Sequence, residues 1–143
     1  MTISKLMASR SGEIWSCHVD DRVADAIDML ATRRIGALPV FDEDEQVAGI
    51  FSERDVLYCL HSKGAAMLEL KVRDVMTAPA ITIHPETSVD EALGLMTRRR
   101  IRHLPIEKDG RVVGLVSIGD LVKYRIDMIQ AEAEALRSYI QTA

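Results

Sequence analysis

The sequence predicts an α+β protein in which one β-α-β-β-α unit occurs twice and a long helix follows the second copy. The first observation is recurrence. Val23-Ala24-Asp25-Ala26-Ile27 returns as Val89-Asp90-Glu91-Ala92-Leu93, Ile35 to Val40 returns as Ile101 to Ile106, and Gly49 to Asp55 returns as Gly114 to Asp120. The second is where the register slips. The offset is 66 residues from Ala26 to Ala92 and 65 from Asp55 to Asp120, because Asp42-Glu43-Asp44-Glu45-Gln46 faces the shorter Lys108-Asp109-Gly110-Arg111. A one-residue change confined to a polar turn is what two copies of one fold show. The third is a seam of Val122, Ile126, Ile129, Ala133, Leu136 and Ile140, spaced four and three apart, which breaks the symmetry at the C-terminus. Two copies of one unit imply a pseudo-two-fold body with a cleft between its halves, a place to hold a small ligand.

In the first copy, Ile14 to Val19 reads as a strand. A helix follows, with Val23, Ala26, Ile27 and Leu30 on one face. Leu38 to Phe41 and Val47 to Phe51 are strands joined by the acidic turn, and a second helix runs from Glu53 to about His61. Proline sits near the start of the middle strand, where a missing N–H matters least. The second copy repeats this with Ile81-Thr82-Ile83, a helix burying Val89, Ala92, Leu93 and Met96, then strands at Leu104–Ile106 and Val112–Val116. Ser88-Val89-Asp90-Glu91 is a capping box that fixes its helix start. Asp109-Gly110 is a hairpin turn. Ser62 to Ala66 reads as a loop. Val72 to Met76 echoes Ile3 to Met7, so a similar short helical turn leads into each half. The expected division is residues 1–62, a linker at 63–67, residues 68–124, and a helical extension at 125–143. The last helix is expected from about Gly119 to Ile140. Its seam either folds back on the body or meets the same helix of a second chain, and a two-fold homodimer, through the faces of the repeats, this helix or both, is the expected geometry.

Composition narrows the function. With 143 residues and 48% hydrophobic side chains the chain can bury a sizeable core. A formal charge of −4 argues against a nucleic-acid binder. No apolar run approaches the roughly 20 residues that cross a bilayer, and Met1 to Met7 lacks the apolar stretch of a signal peptide. A cytoplasmic protein without a membrane partner is expected. Cys17 and Cys59 form no CxxC pair and are read as reduced structural thiols. The four histidines do not show the spacing of a helical metal site, and no metal is expected.

The candidate site is Gly-h-h-Ser-x-x-Asp, where h is an apolar residue, at the end of the third strand of each copy. Ser52 and Asp55 carry it in the first copy, Ser117 and Asp120 in the second. Ser-x-x-Asp is also a capping box, and every helix needs its free N–H groups satisfied. The same residues have a second use. A helix N-terminus favours phosphate, a carboxylate accepts hydrogen bonds from both ribose hydroxyls, and the glycine lets a flat base approach the strand.

The doubled h-P-h strand and the doubled Gly-h-h-Ser-x-x-Asp junction resemble a tandem pair of CBS domains, named for cystathionine β-synthase, of the stand-alone bacterial type. The likeness runs from about Ile3 to Lys123. It implies two domains packed head to tail through their sheets, with two clefts for adenosine-containing ligands. It implies that Asp55 and Ser52 hold the ribose in one cleft and Asp120 and Ser117 in the other. The family's first strand frames the adenine, which points to His18 and Val19 and to Ile81, Thr82 and Ile83. For phosphate, Arg54 lies inside the first junction, while Arg102 and His103 enter a strand where the first copy has Gly36 and Ala37. Each cleft is thus expected to have an arginine from a different element, and the two sites to be non-equivalent. Arg98 and Arg99 are either a solvated helix end or part of this basic run. Trp15 either stacks on a base or anchors the core.

These features lead to a regulatory, energy- or redox-sensing module that binds AMP, ADP, ATP or NAD(H) and signals to a separate effector protein. The alternative is a structural homodimer whose motifs are helix caps alone. No nucleophile–base pair or carboxylate pair is readable beyond those assigned to ribose, so no enzyme activity is expected.

Overall fold

The alternation and periodicity of each repeat become short strands and amphipathic helices in the computed structural model, which describes residues 2–8 and 14–142. The elements are α1 (Ile3–Ala8), β1 (Cys17–His18), α2 (Val23–Arg33), β2 (Ala37–Phe41), β3 (Val47–Ser52), α3 (Glu53–Lys63), α4 (Val89–Arg99), β4 (His103–Lys108), β5 (Arg111–Ser117) and α5 (Ile118–Thr142). β1 pairs parallel with β2, which pairs antiparallel with β3. β4 and β5 pair antiparallel, with Ile83 bridged in parallel to Ile106 where β1 pairs in the first repeat. The first strand is therefore shorter than its apolar run suggests: Ile14 to Ser16 are irregular, and Ile83 contributes one bridge.

Apolar spacing places the cores. Val23, Ala26 and Leu30 of α2 are buried with Leu38, Val40 and Phe51; Val89, Ala92 and Met96 of α4 are buried with Leu104, Ile106 and Val116. Asp109 and Gly110 both take positive φ, as a two-residue hairpin turn of this hand requires.

The lead-in segments cross over. Ile3 and Leu6 of α1 are buried in the second core, and Ile3 N donates to Thr87 O at 2.9 Å. Met67 and Val72 are buried in the first core, with Val72 N donating to Asp21 O at 2.8 Å. Burying each such side chain is worth roughly 1.5–3 kcal/mol, so each half is locked by chain from outside it. Ser62 to Ala66, expected as a loop, is helical: α3 continues to Lys63, and a 3₁₀ segment from Gly64 to Glu69 carries Met67 inward.

α5 leaves the body after its first turns. Leu121 is buried, Tyr124 packs on the second core, and Arg125 pairs with Asp90 at 3.7 Å. Beyond them Ile126, Ile129, Leu136 and Ile140 are 49–64% exposed. The seam does not fold back on its own chain. Among the described residues no helix is long and apolar enough to cross a membrane.

Candidate functional site: two clefts between the repeats

Each strand-to-helix junction is built by the local sequence. Ser52 is extended and caps α3, with Asp55 N donating to Ser52 Oγ. Asp55 Oδ2 accepts in return from Ser52 N at 2.9 Å and from Ser52 Oγ at 3.1 Å. Asp55 Oδ1 accepts from the Thr77 hydroxyl at 2.8 Å, which ties the junction to the segment leading into the second repeat. In the second repeat Asp120 Oδ2 accepts from Ser117 N at 2.9 Å, and Asp120 N donates to Ser117 Oγ at 3.1 Å. The capping geometry is real at both junctions.

Both junctions also face cavities bounded by the opposite repeat. Ser52, Arg54 and Asp55 line a cavity of about 360 Å³ with Pro79, Ala80, Ile81 and residues 99–103. Ser117 and Asp120 line one of about 310 Å³ with Ile14, Trp15 and residues 34–37. Such volumes suit a small organic ligand. His103 and Gly36 border both. Burial lowers the His103 pKa against the pull of Glu53 and Asp120, and nearby Arg102 lowers it further. Arg54 Nη1 donates to Arg100 O at 2.9 Å and so bridges the repeats at the first cavity.

A sequence model of the CBS domain matches residues 3–62 and 72–127. The chain belongs to the CBS-domain family. This CBS pair is 40% identical to the CBS domain-containing protein CBSX3, mitochondrial, of Arabidopsis thaliana, over 98% of this chain and 72% of that one. It is similar to the structure of a putative signal-transduction protein with CBS domains from Burkholderia ambifaria, with TM-score 0.83 and 37% identity, covering 89% and 95% of the two chains. The CBS domain pair of protein MJ0100, solved in complex with 5′-methylthioadenosine and S-adenosylmethionine, shares the fold with TM-score 0.78 at 23% identity, over 90% and 98%.

The CBS pair brings together much of what its sequence suggested and redistributes the rest. Ser52, Arg54, Asp55 and Ile81 share the first cleft; Ser117 and Asp120 line the second. Arg102 joins Arg54 in the first cleft instead of serving the second, because the end of α4 and the start of β4 lie against the β3–α3 junction. Arg99 and Arg100 line the same cleft, whereas Arg98 lines neither and stays a solvated helix end.

His18 and Val19 line neither cleft. His18 N donates to Asp21 Oδ2 and its ring Nδ1 accepts from Asp20 N, which ties down a turn, while Val19 is core. Thr82 and Ile83 likewise stand apart, with Ile83 buried in the second core. The residues at the second cleft are Ile14 and Trp15, which the 66-residue offset equates with Ala80 and Ile81. Trp15 packs on the first core, one of its two expected roles, and also lines the second cleft, with the Arg33 guanidinium 3.7 Å from its ring centroid.

The strand glycine has a different task from the expected one. A Cβ on Gly49 would lie 2.5 Å from Thr77 O and 3.0 Å from Met76 Sδ. Ile50 and Thr77 exchange backbone hydrogen bonds beside it. Gly49 thus admits the chain that brings the Thr77 hydroxyl to Asp55. At Gly114 a Cβ would meet only side chains, Ile106 Cδ1 at 3.3 Å and Met7 Cε at 3.4 Å, so no backbone crosses as closely there.

Proposed function

We propose that this CBS pair is a regulatory module that binds an adenosine compound (AMP, ADP, ATP or NAD(H)) between its repeats and passes its state to a separate effector protein. The observation that carries the reading is that both Ser-x-x-Asp junctions stand on walls of cavities made by both repeats. There a carboxylate can accept from ribose hydroxyls, while helix N–H groups and arginines favour phosphate. The adenosine ligands of the MJ0100 pair support the compound class. A ligand touching both repeats shifts their arrangement only as far as it binds one arrangement better. The reading assigns the chain no catalytic step. It includes a homodimer, with the exposed seam of α5 meeting its own copy.

The capping hydrogen bonds favour a second reading, in which the motifs stabilise helices in an interaction protein and hold no ligand. Asp55→Ala combined with Asp120→Ala separates the two, followed by ligand titration and by melting. The sensor reading expects binding to be lost. Binding of unchanged affinity in a folded double variant contradicts the site. Caps alone expect a loss of about 1 kcal/mol per junction and no ligand response in the parent protein.

A further inference from the structure

The duplication allows one cleft to be compared with the other, position by position, within a single chain. Ser52 and Asp55 of the first cleft correspond to Ser117 and Asp120 of the second. Arg100 corresponds to Arg34, but the other charged positions around them differ. Arg54 is replaced by Gly119, and Arg102 by Gly36. Arg99 corresponds to Arg33, whose guanidinium lies over the Trp15 ring, and Trp15 itself stands where the first cleft has Ile81.

The Asp55 cleft is therefore lined by four arginines, at 54, 99, 100 and 102, against the carboxylates of Glu53 and Asp55. The Asp120 cleft has one arginine, Arg34, against Asp120, with an indole in its wall. Arginines that line one cleft from α3, the end of α4 and the link into β4 suit several phosphate oxygens at once. A near-neutral cleft with an aromatic wall suits a flat, weakly charged ligand.

We infer that the two clefts sort adenosine compounds by charge: the Asp55 cleft takes the polyphosphate-bearing compound, and the Asp120 cleft takes one with little or no phosphate. This rests on the adenosine-binding reading above and adds which cleft holds which class.

Calorimetric titration with ATP and with adenosine tests it, using the full chain freed of carried-over nucleotide and checked for folding by circular dichroism. Asp55→Ala is expected to lose ATP and keep adenosine; Asp120→Ala is expected to do the reverse. Arg54→Gln with Arg102→Gln leaves the caps intact and is expected to weaken ATP roughly tenfold or more per arginine, with adenosine unchanged. Gly119→Arg supplies the missing charge where a Cβ has room, its nearest neighbour being Ser117 Oγ at 3.7 Å. In the Asp55→Ala background it is expected to restore ATP binding in part. ATP lost with Asp120 and kept without Asp55, or both clefts losing both compounds alike, overturns the inference while leaving adenosine binding standing. A parent protein that binds neither compound overturns the binding reading and this inference with it.

Discussion

Arg34 and Arg100 occupy the same left-handed backbone position in the two repeats. Each caps the C-terminus of the first long helix of its repeat, with φ of 53° and 54°, and each lines one of the two clefts. Glycine is the usual residue there, since an L side chain in that conformation costs about 1 kcal/mol. Arginine at both positions sets a local strain against a charge placed at a cleft. Arg100→Gly is accordingly expected to raise stability by up to about 1 kcal/mol while weakening ATP binding. A denaturant curve and a titration on the same sample check both halves of the prediction.

Gly49 and Gly119 give opposite expectations for one substitution. Gly49→Ala forces a Cβ onto the Thr77 carbonyl, a clash with backbone that no rotamer relieves, and is expected to destabilise by about 1–3 kcal/mol. Gly119→Ala meets Ser117 Oγ at an ordinary contact distance and lies in the first turn of α5. It is expected to be neutral or to stabilise by a few tenths up to about 1 kcal/mol. Urea unfolding of the two variants side by side reads the contrast.

His103 gives the pair a pH-dependent element. Burial holds its pKa below the 6.5 of an unperturbed imidazole, with Glu53 and Asp120 pulling the other way and Arg102 adding to the lowering. As pH falls through 6.5 the unfolded chain takes up the proton first, so stability drops until the folded imidazole also titrates. His103→Gln is expected to flatten that part of the profile relative to the parent. A profile of equal slope in both proteins contradicts it.

The free seam of α5 predicts self-association. Ile126 and Leu136 are 49% and 60% exposed and lie on one face of a helix that projects from the body. Ile126→Asp with Leu136→Asp is expected to convert a dimer to a monomer in sedimentation equilibrium, with the core of each repeat unaffected.

The repeat made the helices, the hairpin and both Ser-x-x-Asp junctions legible in the sequence, because apolar period and turn residues act locally. The partner of an apolar face is not local. Ile3 and Leu6 read as a lead-in to the first repeat, yet they fill the second core, and Val72 fills the first. Other non-local contacts set the clefts: Arg102 lines one cleft with Arg54, and Thr77 reaches Asp55 across Gly49. His18 and Val19 lie outside the clefts because the chain enters sheet pairing only at Cys17, and the residues that reach the second cleft, Ile14 and Trp15, precede the strand. The offset itself held the better signal, equating Ile14 and Trp15 with the cleft residues Ala80 and Ile81.

Thermal unfolding of nucleotide-free protein with millimolar AMP, ADP, ATP, NAD, NADH and S-adenosylmethionine in parallel tests the central claim most directly. A ligand at about 100 times its dissociation constant adds roughly 2.7 kcal/mol, which raises the midpoint of a domain this size by several degrees. Adenosine binding in the clefts predicts at least one clear upward shift in that panel, abolished in the Asp55→Ala, Asp120→Ala variant. A panel in which no compound moves the midpoint, or a shift that survives in the double variant, contradicts it.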